Sequence, residues 1–204
     1  MSEKFNPNTF EFHLKENKFI QCCAVMLQLN GRAMEYDKLM YLLYLAERRY
    51  WADDLYGHLY DDKFLLTEDG IVPEYLFNRR NNYEYWANHK YLSPTIGNSN
   101  KDFGLWLEHD TDVLTPTCSL SPHDYSVIAM TYGFYGHRTA KEISNAIKKM
   151  PEYISLLPLF AGGDDTVRVF PINILWGIAY EKHTNLLGDI YGYYYVESLT
   201  GVKQ

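Results

Sequence analysis

Two acidic runs hold the residues with the most evident chemical potential. "ADDLYGHLYDD" carries Asp53, Asp54, Asp61 and Asp62, and "AGGDDTVR" carries Asp164 beside Asp165. Paired carboxylates can ligate a hard cation. They are equally at home in solvated turns, where Asp side chains cap the backbone. With no further ligand in register, the turn reading is preferred, and no metal is assigned. His13, His58, His89, His109, His123, His137 and His183 are scattered, and no pair has the i, i+4 spacing of a helical zinc site. Neither a Gly-x-Ser-x-Gly elbow nor a phosphate-binding Gly-x-x-x-x-Gly-Lys occurs. Cys22, Cys23 and Cys118 are an odd set without Cys-x-x-Cys spacing, and are read as reduced, packed thiols. The expectation is a chain without a cofactor that is not an enzyme.

Basic residues offer a second chemistry. Arg48–Arg49, Arg79–Arg80 and Lys148–Lys149 are short pairs within a chain of formal net charge −7. Wrapping nucleic acid needs a broad basic face, so these pairs are read as solvated helix surface. Tyrosine is the unusual residue, with 19 in 204 positions, concentrated in "YEYWANHKY", "YGFYG" and "YGYYY". A tyrosine joins a large apolar face to a polar tip at little entropic loss, which suits interfaces. At least one exposed aromatic binding surface is expected.

These groups must be positioned by helices. Phe19, Ile20, Cys23, Met26 and Leu27 recur with helical spacing over about 17–29, and Asn30–Gly31 stops the run. Leu39, Leu42, Leu43, Ala46 and Tyr50 mark a second helix over about 34–52, which Met40, Tyr44 and Leu45 make apolar on more than one side. "KFLL" is extended or part of a turn, "TEDG" is a turn, and Pro73 suits the first position of a further helix, "PEYLFNRR". Positions 91–118 read as loop with one helical piece, "KDFGLWLEHDTDVL". Ser121 with Pro122 and Asp124, then Thr139 with Glu142, are helix-start signatures. The first of these helices has Val127, Ile128, Met130, Thr131 and Phe134 as its apolar side, and the second has Ile143, Ala146 and Ile147. In the tail, Ile172, Leu175, Trp176 and Ala179 fit a helix. The fold class is mainly α, a compact helical bundle with at most short β segments. No run spans a bilayer, and the first 19 residues lack a signal peptide's basic start and apolar centre. The chain is therefore expected to be cytoplasmic, with no membrane association.

"DKLMYLLYLAERRYWADDLYGHLY", then "EDGIVPEYL", then "LSPHDYSVIAMTYGFYGHRTAKEIS" resembles the Panacea domain of SocA-like antitoxins, which are mostly helical bacterial and phage proteins. Lys38, Leu39, Leu42, Leu43, Tyr44 and Ala46 match the first block; Gly70, Val72 and Pro73 match the second; Leu120, Ser121, Tyr132, Gly133, Ala140 and Ile143 match the third. Tyr41 stands where the family has a second lysine, and Ile71 where it has proline. The likeness covers about 31–150. It implies a Panacea-like helical domain over 1–150, with its core at about 17–150, and a C-terminal extension over 151–204 packed on it.

The resemblance also implies an antitoxin-like module that neutralises a cognate toxin by direct contact and, in one form of the family, delivers it to a protease. Together with the aromatic cluster it puts the partner surface at Lys38, Tyr41, Tyr44, Gly70, Val72, Pro73, Tyr83, Tyr85 and Trp86. A DNA-binding regulator using the 121–149 helix pair is the alternative, with Arg138, Lys141, Lys148 and Lys149 on its face. A third reading is an enzyme with carboxylates of 53–69 in a Tyr-lined pocket. Nucleic acid is the less favoured partner, and the sequence sets no oligomeric state.

Overall fold

Nine consecutive residues, Leu39 to Glu47, are all buried, so one helix is covered from every side. The computed structural model describes residues 14–31, 33–53, 57–89, 91–96, 105–109, 119–162 and 166–191. Around the central helix α2 (Tyr36–Asp53) pack α1 (Glu16–Leu29), α5 (Pro122–Tyr135), α6 (Ala140–Ile147) and α8 (Pro171–Tyr191). Shorter helices are α3 (Glu74–Phe77), α4 (Tyr83–Ala87) and α7 (Pro151–Leu156), the last running into a 3-10 turn at Leu157–Gly162. The described residues are mainly helical, and none of their helices is long and apolar enough to cross a membrane.

The β segments are three to five residues long, yet they assemble into two antiparallel sheets that the sequence did not disclose. β1 (Ala33–Glu35) pairs with β5 (Leu105–His109), and β5 with β4 (Leu92–Ile96). Leu105–His109 thus corrects the helical expectation for "KDFGLWLEHDTDVL"; the flanking parts of that stretch lie outside the described residues. β2 (Phe64–Thr67) and β3 (Gly70–Pro73) form a hairpin over the two-residue turn Glu68–Asp69. β6 (Val167–Val169) joins β2 on its other edge, so the C-terminal part of the chain completes the second sheet. Pro73 closes β3 and stands just before α3, one residue earlier than expected.

The core is aliphatic and aromatic; several polar tips are bonded internally, while the buried Tyr60 hydroxyl has no hydrogen-bond partner among the described residues. Tyr36 donates from its hydroxyl to the Leu76 carbonyl at 2.7 Å, and Trp86 from its indole to the Arg79 carbonyl at 3.0 Å. Full burial of a Leu or Phe side chain contributes about 1.5–3 kcal/mol, so Leu39, Leu42, Leu43 and Phe64 anchor the centre. Cys22 and Cys23 are buried free thiols, and burial pushes both above the usual thiol range. Cys118 lies outside the described residues, as do Asp54, Asp164 and Asp165.

Both capping boxes form. The Ser121 hydroxyl accepts from the Asp124 amide at 3.1 Å while the Asp124 carboxylate accepts from the Ser121 amide at 2.7 Å. Asp124 also meets Lys18 at 2.9 Å, which ties α5 to α1. Ser121→Ala is expected to lower stability by about 1 kcal/mol in chemical denaturation.

Where helix faces were read wrongly, the reason is tertiary. On α5, Val127, Ile128 and Thr131 are buried, but Met130 and Phe134 are 40% and 65% exposed. On α8, Ile174 and Ile178 face inward, while Ile172, Trp176 and Ala179 are exposed. Each helix is apolar on both flanks, so periodicity alone could not choose the side that α2 covers.

Candidate functional site

The first turns of α2 and the tip of the β2–β3 hairpin enclose a cleft of about 180 Å³. Asp37 and Tyr41 enter from α2, Glu68 and Asp69 from the hairpin turn, Val72 from β3, and Arg80 from the turn after α3. The hairpin tip is pinned from behind. Ser144 of α6 donates to the Asp69 carbonyl, Tyr153 of α7 donates to the Glu68 carbonyl at 2.9 Å, and Lys148 lies 3.4 Å from the Asp69 carboxylate. Gly70 has φ +150°, and a Cβ there would sit 3.1 Å from the Tyr41 ring, so glycine is what lets the strand close over Tyr41.

Charge in the cleft is predominantly negative. One Asp37 oxygen accepts from Arg80 at 2.6 Å; the other is buried and has no hydrogen-bond partner among the described residues. Burial raises the Asp37 pKa above the ordinary carboxylate value, Arg80 partly offsets this, and Asp69 reinforces it. The Tyr41 hydroxyl is raised as well, first by burial and then by the charges of Asp37 and Asp69. Two different groups therefore feel the same negative field. An exposed wall of Glu68 and Asp69 over a half-buried Asp37 with one buried, unpartnered oxygen suits a donor that carries positive charge.

Among the residues expected on the partner surface, the structure brings Tyr41, Gly70 and Val72 together at this cleft. Tyr44, Val72, Pro73 and Trp86 are buried, and so is most of Tyr41. That corrects their reading as an outer aromatic surface: these side chains build the interior, because α2 is covered all round. Tyr44 donates to buried Glu152 at 2.7 Å. Lys38 points to a different cleft of about 270 Å³, shared with Glu35, His137 and Arg138, where it caps α5 by donating to the Gly136 carbonyl at 2.6 Å. Burial lowers the Lys38 pKa.

The α4 cluster does not line the acidic cleft. Tyr83 is exposed, and Tyr85 is half-buried with its hydroxyl 2.5 Å from that of Tyr75. The Arg79 guanidinium covers Tyr75 at 3.8 Å from the ring centroid.

The basic residues of the DNA reading remain apart in role. Arg138, Lys141 and Lys149 are exposed, whereas Lys148 is engaged with Asp69. Glu142 occupies the start of α6, bound to the Thr139 amide and hydroxyl, which hold its carboxyl below the usual range. A carboxylate there opposes a phosphate at the same helix end.

Within and beside the 53–62 run, Asp62 and Glu47 are structural, while Asp53 is exposed. Glu47 is buried and accepts from the Trp51 indole at 2.9 Å and the Tyr60 amide at 3.0 Å, with His58 at 3.2 Å. Asp62 accepts from the amides of Lys63 at 2.8 Å and Tyr75 at 2.9 Å, tying the loop to α3. No group of three His, Cys, Asp or Glu side chains among the described residues is arranged to hold a metal ion.

Burial pushes the Asp62 pKa up to about 7, against its two amide hydrogen bonds. An unfolded Asp titrates near about 3.9, so between those values the folded chain retains a proton that the unfolded chain has released. Asp62 therefore favours folding more as pH falls through about 7, and the penalty for burying its charge is complete above it. Relative to Asp62→Asn, wild type is expected to lose on the order of 1–3 kcal/mol of stability between pH 5.5 and pH 8. Thermal unfolding of both proteins at the two pH values checks this; a constant gap would contradict it.

No family model, curated protein or solved structure matches the chain.

Sequence reasoning missed Asp37, Glu68, Asp69 and Arg80 as a set. The acids in "TEDG" were visible, but only as turn residues, and Arg80 only as solvated surface.

Proposed function

We propose that the chain is an antitoxin-like binding module that neutralises a toxic polypeptide by direct contact. The acidic cleft is its recognition site, and a lysine or arginine of the partner is the group it takes. The observation that carries this reading is the buried, unpartnered oxygen of Asp37 in a cleft walled by Tyr41, Glu68 and Asp69. A buried acceptor without a donor is costly, and a cation from a partner removes that cost while gaining a charge-assisted bond. The net charge of −7 speeds encounter with a basic partner. The resemblance to SocA-like antitoxins points the same way, since its Gly70 and Val72 block forms one wall and Tyr41 replaces a family lysine at the floor. Delivery of the bound partner to a protease is the adaptor form of the same proposal.

Co-expression tests it. The partner to use is a toxic polypeptide whose gene neighbours that of this chain. Growth should be rescued, and the two proteins should co-elute in size-exclusion chromatography. Toxicity unchanged by the chain, with no co-elution, would refute the proposal.

A further inference from the structure

Arg48 and Arg49 are neighbours on α2 with opposite fates. Arg48 is paired with Glu152 and with Glu181, the latter at 2.8 Å. Arg49 makes no ion pair with any described residue, and its Nε is buried without a hydrogen-bond partner. Asp53, one helical turn on, does not reach it. The Arg49 guanidinium instead rests against α5, 3.5 Å from the Met130 sulfur and 5.4 Å from the centroid of the Phe134 ring. Met130 and Phe134 lie at i, i+4 spacing and form an exposed apolar ridge. Nearby on the same helix edge, His123 packs on Tyr50 at 5.0 Å between centroids, and Lys18 lies over Tyr50 at 5.9 Å.

We propose that this seam between α2 and α5 is a docking site for an acidic amphipathic segment of another polypeptide. The charge selects the occupant. A guanidinium half-sunk among apolar groups, lacking a carboxylate, is an incomplete ion pair, and truncated or unpaired charges in such settings are costly. A Glu or Asp of the incoming segment completes it through the planar fork of Arg49. An aliphatic or aromatic side chain one turn away covers Phe134 and Met130, and arginine beside an exposed aromatic is the composition of an interface hot spot. The seam shares no residue with the acidic cleft and prefers the opposite charge, so the module would hold a basic partner on one face and an acidic one on another.

The test uses the full chain, labelled with ¹⁵N, and a synthetic peptide of about 16 residues built from Leu, Phe and Glu, long enough for several helical turns. A control peptide carries Lys in place of every Glu. The acidic peptide should shift the signals of residues 49–50 and 130–134, including the Arg49 side-chain Nε–H. Arg49→Gln should weaken its binding at least about tenfold, the loss of a charge-assisted hydrogen bond. Phe134→Ala, a change at an exposed position, should weaken it as well. Equal shifts at the seam with both peptides, or an unchanged affinity in Arg49→Gln, would overturn the proposal.

Discussion

Glu152→Ala is expected to lower the unfolding midpoint by roughly 6–20 °C, through a loss of about 3–5 kcal/mol. Glu152 is fully buried and holds three elements together. One of its oxygens accepts from the Tyr44 hydroxyl and from Arg48 Nε, and the other from an Arg48 terminal nitrogen at 3.3 Å. Arg48 reaches on to Glu181 of α8. Burial pulls the Arg48 pKa down, but the bond to Glu152 outweighs it and holds the guanidinium above its ordinary value. Removing Glu152 leaves the Tyr44 hydroxyl without its acceptor and Arg48 with only the more exposed Glu181, in a core where an unmet polar group is most costly. Gly177 belongs to the same design: a Cβ there would overlap the Glu152 carboxylate, so α8 can pass only as glycine. The double variant Arg48→Met with Glu152→Ala should recover part of the loss, because no buried charge is then stranded. A double variant no more stable than Glu152→Ala would show that packing, not the ion pair, sets the effect.

Reversing the hairpin tip carries the second large effect, on binding. Glu68→Lys with Asp69→Lys replaces two exposed carboxylates by two ammonium groups facing Asp37 and Tyr41. Affinity for a basic partner should fall by about a hundredfold or more, since each misplaced like charge in a desolvated contact costs several kcal/mol. The fold should survive. The backbone carbonyls of Glu68 and Asp69, which Tyr153 and Ser144 bind, are retained, and only the Lys148 contact with the Asp69 carboxylate is lost. Isothermal titration gives the affinity and circular dichroism the midpoint. Unchanged affinity in a folded double variant would remove the cleft from the account.

The local features were legible because their causes are local. The apolar stripes of α1 and α2 and the boxes at Ser121–Asp124 and Thr139–Glu142 are set by residues three or four apart. β5 was not legible. Leu105, Trp106 and Leu107 satisfy a helix or a strand, and the choice falls to pairing with Met34, far away in the chain. The outward faces of α5 and α8 depend on which flank α2 covers, which no single-helix pattern contains. The tyrosines divide likewise: Tyr36, Tyr44 and Tyr60 fill the interior, while Tyr83 and Tyr125 are exposed. The cleft was half legible. Tyr41, Gly70 and Val72 stood in blocks marked by resemblance, and Asp37 lies one turn before Tyr41 on α2, but the hairpin residues and Arg80 reach them only through the pairing of β2 with β3 and the return of α3.

Hydrogen–deuterium exchange of the chain, free and bound to the basic partner, tests most directly whether the acidic cleft is the recognition site. Added protection is expected to concentrate in residues 36–41 and 67–72, where α2 meets the hairpin tip. Protection confined to other segments, with those two unchanged in a fully formed complex, would contradict it.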